Sequence, residues 1–232
     1  MTDLNRRGAL VLVHGAWHGP WCWDRLEPEL ESRGWSTSKV DLPSTSGNPD
    51  AGMYDDARAV RRHLEAVDGP VTVLAHSYGG VPVTEVAESL PNVEHVVYLA
   101  AHMLNVGEAV TTPLGGPWFP LEATMVQPPE PPEEFFYHDV PAARAEAAVS
   151  LLRPQSARSF TDPQTRASWR SVPSALIICE DDRSLPEVFV KRQLTMAGVV
   201  RRLPGGHSPF LSRPADLADA VDEVTRALAA DG

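Results

Sequence analysis

The chain has 232 residues, 43% of them hydrophobic, which suits one globular domain of ordinary size. Its formal net charge is -11 and it has no basic run, so nucleic acid and anionic membranes are excluded as expected partners: too little is present to neutralise phosphates. The two cysteines, Cys22 and Cys179, lie far apart and outline no disulfide framework; without a secretory context they read as reduced thiols, and a cytoplasmic location is expected.

In the N-terminal stretch MTDLNRRGALVLVHG two arginines precede apolar residues, but the run 9–13 is too short for a signal-peptide core and reads as the first strand. Further strands are expected at 37–40, 71–75, 95–100, 175–179 and 199–203. Between the second and third, Ala57, Val60, Leu64 and Val67 recur at helical spacing; Leu217, Val221, Val224 and Leu228 do so in the last segment. Strands alternating with amphipathic helices predict an α/β fold, a mostly parallel sheet of about six strands covered by helices, in one domain over residues 1–232. There is no internal repeat.

The alternation fails over residues 102–173, where TTPLGGPWFP and QPPEPPEEFFYHD precede a helix expected near 142–152. Such an insertion is either a proline-rich loop or a lid over a binding site. The aromatics Trp118, Phe119, Phe135, Phe136 and Tyr137 favour the lid, because a solvated linker does not normally keep so many. They are candidate substrate-binding residues, together with His18 and with His102, which leaves a strand at the sheet's carboxyl edge. Glu108, Glu122, Glu130, Glu133, Glu134 and Asp139 fall within residues 102–140, a stretch without one Lys or Arg, so the expected rim is acidic.

LAHSYGGVPVTEVA is the segment that first suggests chemistry. A strand breaks on Ser77, enclosed by small residues, and resumes as a helix; this is the setting of a nucleophile elbow, although a serine before glycines can also be a plain turn or cap. A hydroxyl needs a histidine to take its proton and a carboxylate to orient that histidine. Downstream, CEDDRSLP places Asp181 and Asp182 just past a strand, and LPGGHSPF places His207 just past the next. Each has a bland reading as a turn residue, but the order Ser, acid, His at successive strand ends favours one machine. In VLVHGAWHGPWCW the turn after the first strand can aim the Ala16 N–H beside the Tyr78 N–H, two fixed donors for a tetrahedral oxyanion. A metal reading of His14, His18 and Cys22 at intervals of four is rejected, because Gly15, Gly19 and Pro20 break any helix there and no carboxylate completes the set.

Taken together, HGAWHGPWCWDRL, AHSYGG, VVYLAAHM, CEDDRSLP and PGGHSPFLSRPADLA resemble the α/β-hydrolase superfamily, and within it the esterase and hydroxynitrile-lyase group that includes plant methyl-ester hydrolases and small bacterial esterases. The resemblance covers nearly the whole chain. It implies an α/β-hydrolase fold with a cap insertion, no cofactor, Ser77 as nucleophile, His207 as base, Asp182 rather than Asp181 as acid, and Ala16 with Tyr78 as oxyanion donors. Two positions depart from the pattern: Ala75 stands where glycine is usual and His102 where phenylalanine is common.

The implied activity is cleavage of a small to medium, apolar carboxylic ester or lactone through an acyl-enzyme. A cyanohydrin lyase is the alternative, but that subgroup carries a threonine after the first motif histidine and a lysine after the catalytic one, where this chain has Gly15 and Ser208. A ligand-binding or non-hydrolytic biosynthetic protein on the same scaffold is the third class. Monomer and homodimer are both compatible with the sequence.

Overall fold

The computed structural model describes residues 7–230. Its main sheet has six strands: β1 Gly8–Val13, β2 Trp35–Val40, β3 Val71–His76, β4 Val93–Leu99, then, after the insertion that carries β5 Met125–Val126 and β6 Gln155–Ser156, β7 Ser174–Cys179 and β8 Val199–Leu203. The order across the sheet is β2-β1-β3-β4-β7-β8, and every neighbouring pair is parallel. All six expected strands are present, shifted by no more than two residues at either end.

The helices are α1 Glu27–Ser32, α2 Met53–Glu65, α3 Gly80–Val86, α4 Pro132–Phe136, α5 Ala142–Val149, α6 Arg158–Thr161, α7 Glu187–Gln193, α8 Pro209–Ser212 and α9 Pro214–Ala230. Because successive side chains of a strand point to opposite faces, the sheet divides its apolar residues between two layers. Val11, Val13 and Val73 pack with Val60 and Leu64 of α2 and Val81 of α3. Leu10, Leu12 and Leu74 pack with Leu30 of α1 and Leu217, Val221 and Val224 of α9. The two helical stripes read from the sequence therefore cover opposite faces, with Val67 lying just past the end of α2. No helix among the described residues is long and apolar enough to cross a membrane.

This strand order places the site. The chain runs from β1 outward to β2 and then returns to β3 on the other side of β1, so the β1/β3 boundary is a topological switch point, where loops leave in opposite directions and open a crevice. Val13 pairs with Ala75 at the ends of these strands, which sets the turns after them side by side.

Within the insertion, β5 and β6 pair antiparallel as a short ribbon. The helix expected near 142–152 stops at Val149. Pro154 disfavours helical backbone before it, and the Arg153 N–H is instead bonded to the Trp17 carbonyl at 2.8 Å.

Candidate active site

At the end of β3 the chain enters a short 3-10 turn, Ser77–Gly79, and continues directly into α3. Ser77 has φ of 50°, a left-handed conformation that a residue with a Cβ avoids unless its surroundings impose it. The imposition is visible in two close approaches. A methyl on Gly79 would lie 2.6 Å from the His14 carbonyl oxygen, and one on Gly15 would lie 2.9 Å from the Ser77 Cβ. Only glycine lets the turns after β1 and β3 come this near. Ala75 sits fully buried in the sheet, so the methyl that replaces the usual glycine is accommodated by packing.

On the far side of β4, β7 and β8 deliver the other two groups. His207 Nδ1 donates to Asp182 Oδ2 at 2.8 Å, and both side chains are almost wholly buried. Asp182 Oδ1 accepts the N–H groups of Ser184 at 2.7 Å and Leu185 at 3.0 Å. Burial pushes the Asp182 carboxyl up, but the charge and hydrogen bond of His207, with these two N–H groups, outweigh it and hold it below the ordinary carboxylate range. With Nδ1–H committed to the carboxylate, Nε2 is the basic nitrogen of His207. Asp181 is exposed and bonded to His138 Nε2 at 3.1 Å instead.

His76 joins the two halves, donating from Nε2 to the His207 carbonyl at 3.0 Å, and the two imidazole centroids are 4.6 Å apart. Burial, then the nearby histidines, push His76 well below the ordinary imidazole value, so it stays neutral. His102 donates its backbone N–H to the Ser77 carbonyl at 3.0 Å, and burial pushes its ring down to about 4.

Among the described residues, neither the Ala16 nor the Tyr78 N–H donates to a protein group. Both residues line the same cavity as Ser77. The Tyr78 hydroxyl donates to Asp56 Oδ2 at 2.7 Å, while Asp56 Oδ1 accepts the Ser44 N–H at 2.8 Å. Burial pushes the Asp56 carboxyl up to about 7 against those two bonds. Two free N–H groups lining one cavity with a hydroxyl can accept negative charge, and an imidazole held at Nδ1 by a carboxylate can move one proton.

The cavity has a volume of about 210 Å3. Of the expected substrate-binding residues, His102, Trp118 and Phe135 line it. The others do not. Phe136 and Tyr137 are buried in the core on the α9 side of the sheet, and Phe119 packs against Trp118 and Phe160. His18 is sealed behind the first turn, with Nδ1 donating to the Ala16 carbonyl at 2.7 Å and Nε2 accepting the Tyr137 hydroxyl at 2.8 Å. Sequence reasoning missed Phe160, Leu185 and Phe189, which complete the apolar wall. The acidic rim is also reduced: Glu108 is paired with Arg192, and Asp139 accepts the Gly206 N–H at 2.9 Å, which leaves Glu122, Glu130, Glu133 and Glu134 exposed.

The chain is similar along most of its length to known proteins. Methylesterase 1 of Arabidopsis thaliana is 27% identical, with 94% of this chain and 96% of the relative covered. The probable hydrolase R7 of a Phoma species is 30% identical, with 93% of this chain and 97% of the relative covered. The crystal structure of the Arabidopsis methylesterase MES16 superposes with a TM-score of 0.80 at 25% identity, covering 94% of this chain and 98% of that one. The switch-point crevice, the strained turn after β3 and the flanking glycines are thus set in a chain whose residues 10–220 match the Alpha/beta hydrolase family, and to that family the protein belongs.

Proposed function

We propose that the protein is a serine esterase that cleaves a small to medium, largely apolar carboxylic ester or lactone. The observation that carries this reading is the buried Asp182–His207 hydrogen bond of 2.8 Å, with the His207 ring centroid 4.6 Å from that of His76, the residue before a left-handed Ser77. The Ser77 oxygen attacks the ester carbonyl as His207 Nε2 takes its proton, and the Ala16 and Tyr78 N–H groups receive the oxyanion. Collapse breaks the C–O bond and His207 protonates the leaving alcohol. Water, deprotonated by His207, then attacks the acyl-enzyme, releasing the acid and restoring the Ser77 hydroxyl. The likeness to methylesterases supports ester cleavage. The cyanohydrin-lyase alternative gains nothing from the site, since Ser208 supplies no cation beside His207.

Substrate size follows from the cavity, about 210 Å3, against the roughly 300–1,000 Å3 typical of drug-sized ligand sites. Matched acetyl, butyryl, aryl, palmitoyl and succinyl esters, compared by kcat/KM at two ionic strengths, test it. Butyryl and aryl esters are expected to exceed the palmitoyl ester by roughly tenfold or more. The succinyl ester is expected to be poor and to improve with salt, which screens the four exposed glutamates. Preference for the palmitoyl or succinyl ester would overturn this substrate class.

The pH profile has a defined shape. Burial pushes His18 down to about 3, His102 down to about 4 and His76 well below the ordinary imidazole value, so none of the three takes up a proton near neutral pH and the acid limb of kcat/KM is expected to fall with unit slope, through loss of one base. Asp56, pushed up to about 7 by burial, titrates near neutral pH, but it touches the Tyr78 hydroxyl and not the reacting atoms. The acid limb is therefore expected to persist in Asp56→Asn; a slope of two, or a limb that disappears in that variant, contradicts the assignment.

A further inference from the structure

The turn that carries Ala16 is held mainly by the insertion. Trp17 has φ of 61°, a second non-glycine residue in the left-handed region, and such a bulky residue stays there only when other contacts fix it. The contacts come from residues 126–155. Gln155 Oε1 accepts the Trp17 N–H at 2.9 Å, and the Val126 carbonyl accepts Trp17 Nε1–H at 3.0 Å. The Arg153 N–H donates to the Trp17 carbonyl at 2.8 Å, and Arg153 Nη2 donates to the His18 carbonyl at 2.9 Å. The Tyr137 hydroxyl fixes His18, whose Nδ1–H holds the Ala16 carbonyl.

The peptide unit between Ala16 and Trp17 is thus gripped at both ends by buried side chains, its N–H by Gln155 and its C=O by His18. Gln155 is itself locked. Its Nε2 donates to Ser159 Oγ at 2.8 Å, and that hydroxyl spends its own proton on the Ser156 carbonyl at 2.7 Å, so the amide oxygen can only face Trp17. Gln155, Ser156 and Ser159 are all fully buried, where an unpaired polar group is costly and a satisfied network is rigid.

We propose that Gln155 is a positioning residue for hydrolysis: by gripping the Trp17 N–H it orients the Ala16–Trp17 peptide, and through it the Ala16 N–H, toward the oxyanion. The insertion then acts in the chemistry as well as covering the cavity. The inference rests on the proposed acyl transfer at Ser77. A misdirected oxyanion donor weakens transition-state binding while leaving ground-state binding intact.

The test uses Gln155→Leu, which keeps the volume and removes the acceptor, and Gln155→Glu, which restores an acceptor. Three quantities are read: kcat/KM for a butyryl ester, Ki for an aryl trifluoromethyl ketone that forms a tetrahedral oxyanion on the serine, and Kd of the intact ester in a Ser77→Ala background. Gln155→Leu is expected to lower kcat/KM and weaken the ketone in parallel, by about 10- to 100-fold, with ester Kd within about twofold, and Gln155→Glu to recover most of the loss. Should Gln155→Leu not fold, Ser159→Ala, which frees the amide to rotate, must show the same parallel loss at severalfold. Unchanged kcat/KM and ketone affinity, or a loss confined to ester Kd, overturns the proposal. Ester turnover surviving in Ser77→Ala alone would instead overturn the hydrolase reading beneath it.

Discussion

Ser77→Ala is expected to lower ester turnover by roughly 10^5- to 10^6-fold, the loss found when the nucleophile of a serine hydrolase is removed while its binding groups remain. The variant isolates chemistry from folding. Alanine has the same Cβ as serine, so the left-handed backbone at residue 77 is neither relieved nor worsened, and among the described residues no neighbour depends on the Ser77 hydroxyl for a hydrogen bond. The wild type is expected to take up one organophosphonate per chain, read by intact mass, and the variant none. Adduct on another serine, or turnover kept in Ser77→Ala, would remove Ser77 from the centre of the mechanism.

Asp182→Asn is expected to reduce kcat by about 10^4-fold, and the hydrogen bonds around it say why. The Ser184 and Leu185 N–H groups already point at Oδ1, so the asparagine oxygen must remain there and its NH2 must face His207 Nδ1. A donor at that nitrogen forces the imidazole proton onto Nε2, where it blocks acceptance of the serine proton. Asp181→Asn, on an exposed side chain paired with His138, is expected to stay within about threefold of wild type. Parallel kcat measurements decide between them, and a reversed ranking would transfer the acid's role to Asp181.

What could be read in advance followed from periodicity and motif. Strands β1, β3, β4 and β7 sit inside the sheet and are buried on both faces, so their apolar runs stand out; the stripes of α2 and α9 stand out for the same reason. The choice of Asp182 over Asp181 needed the family resemblance, because two adjacent aspartates have the same local signal. The cavity wall was less legible. Phe135, Phe136 and Tyr137 are consecutive in a helix of five residues and its cap, too short for a periodic stripe, yet Phe135 faces the cavity while its two neighbours face the core. Gln155 lies in a two-residue strand and the Trp17 N–H that its oxygen accepts is far away in sequence, so nothing local marks that role. Asp56 did leave a trace: it precedes Val60 and Leu64 by one and two helical turns, a carboxyl in phase with an apolar stripe, which signals a buried acid with partners of its own.

The dihedral at Ser77 also bears on how the protein can change over generations. Glycine adopts a φ of 50° without the Cβ clash, a relief on the order of 1 kcal/mol that is partly offset by its freer unfolded chain. Thermal robustness and turnover therefore pull this one codon in opposite directions. A lineage that no longer needed to split esters would lose little fold stability by giving up the serine, so under the proposed acyl transfer it is demand for the reaction, and not the architecture that displays it, that would maintain the side chain at residue 77.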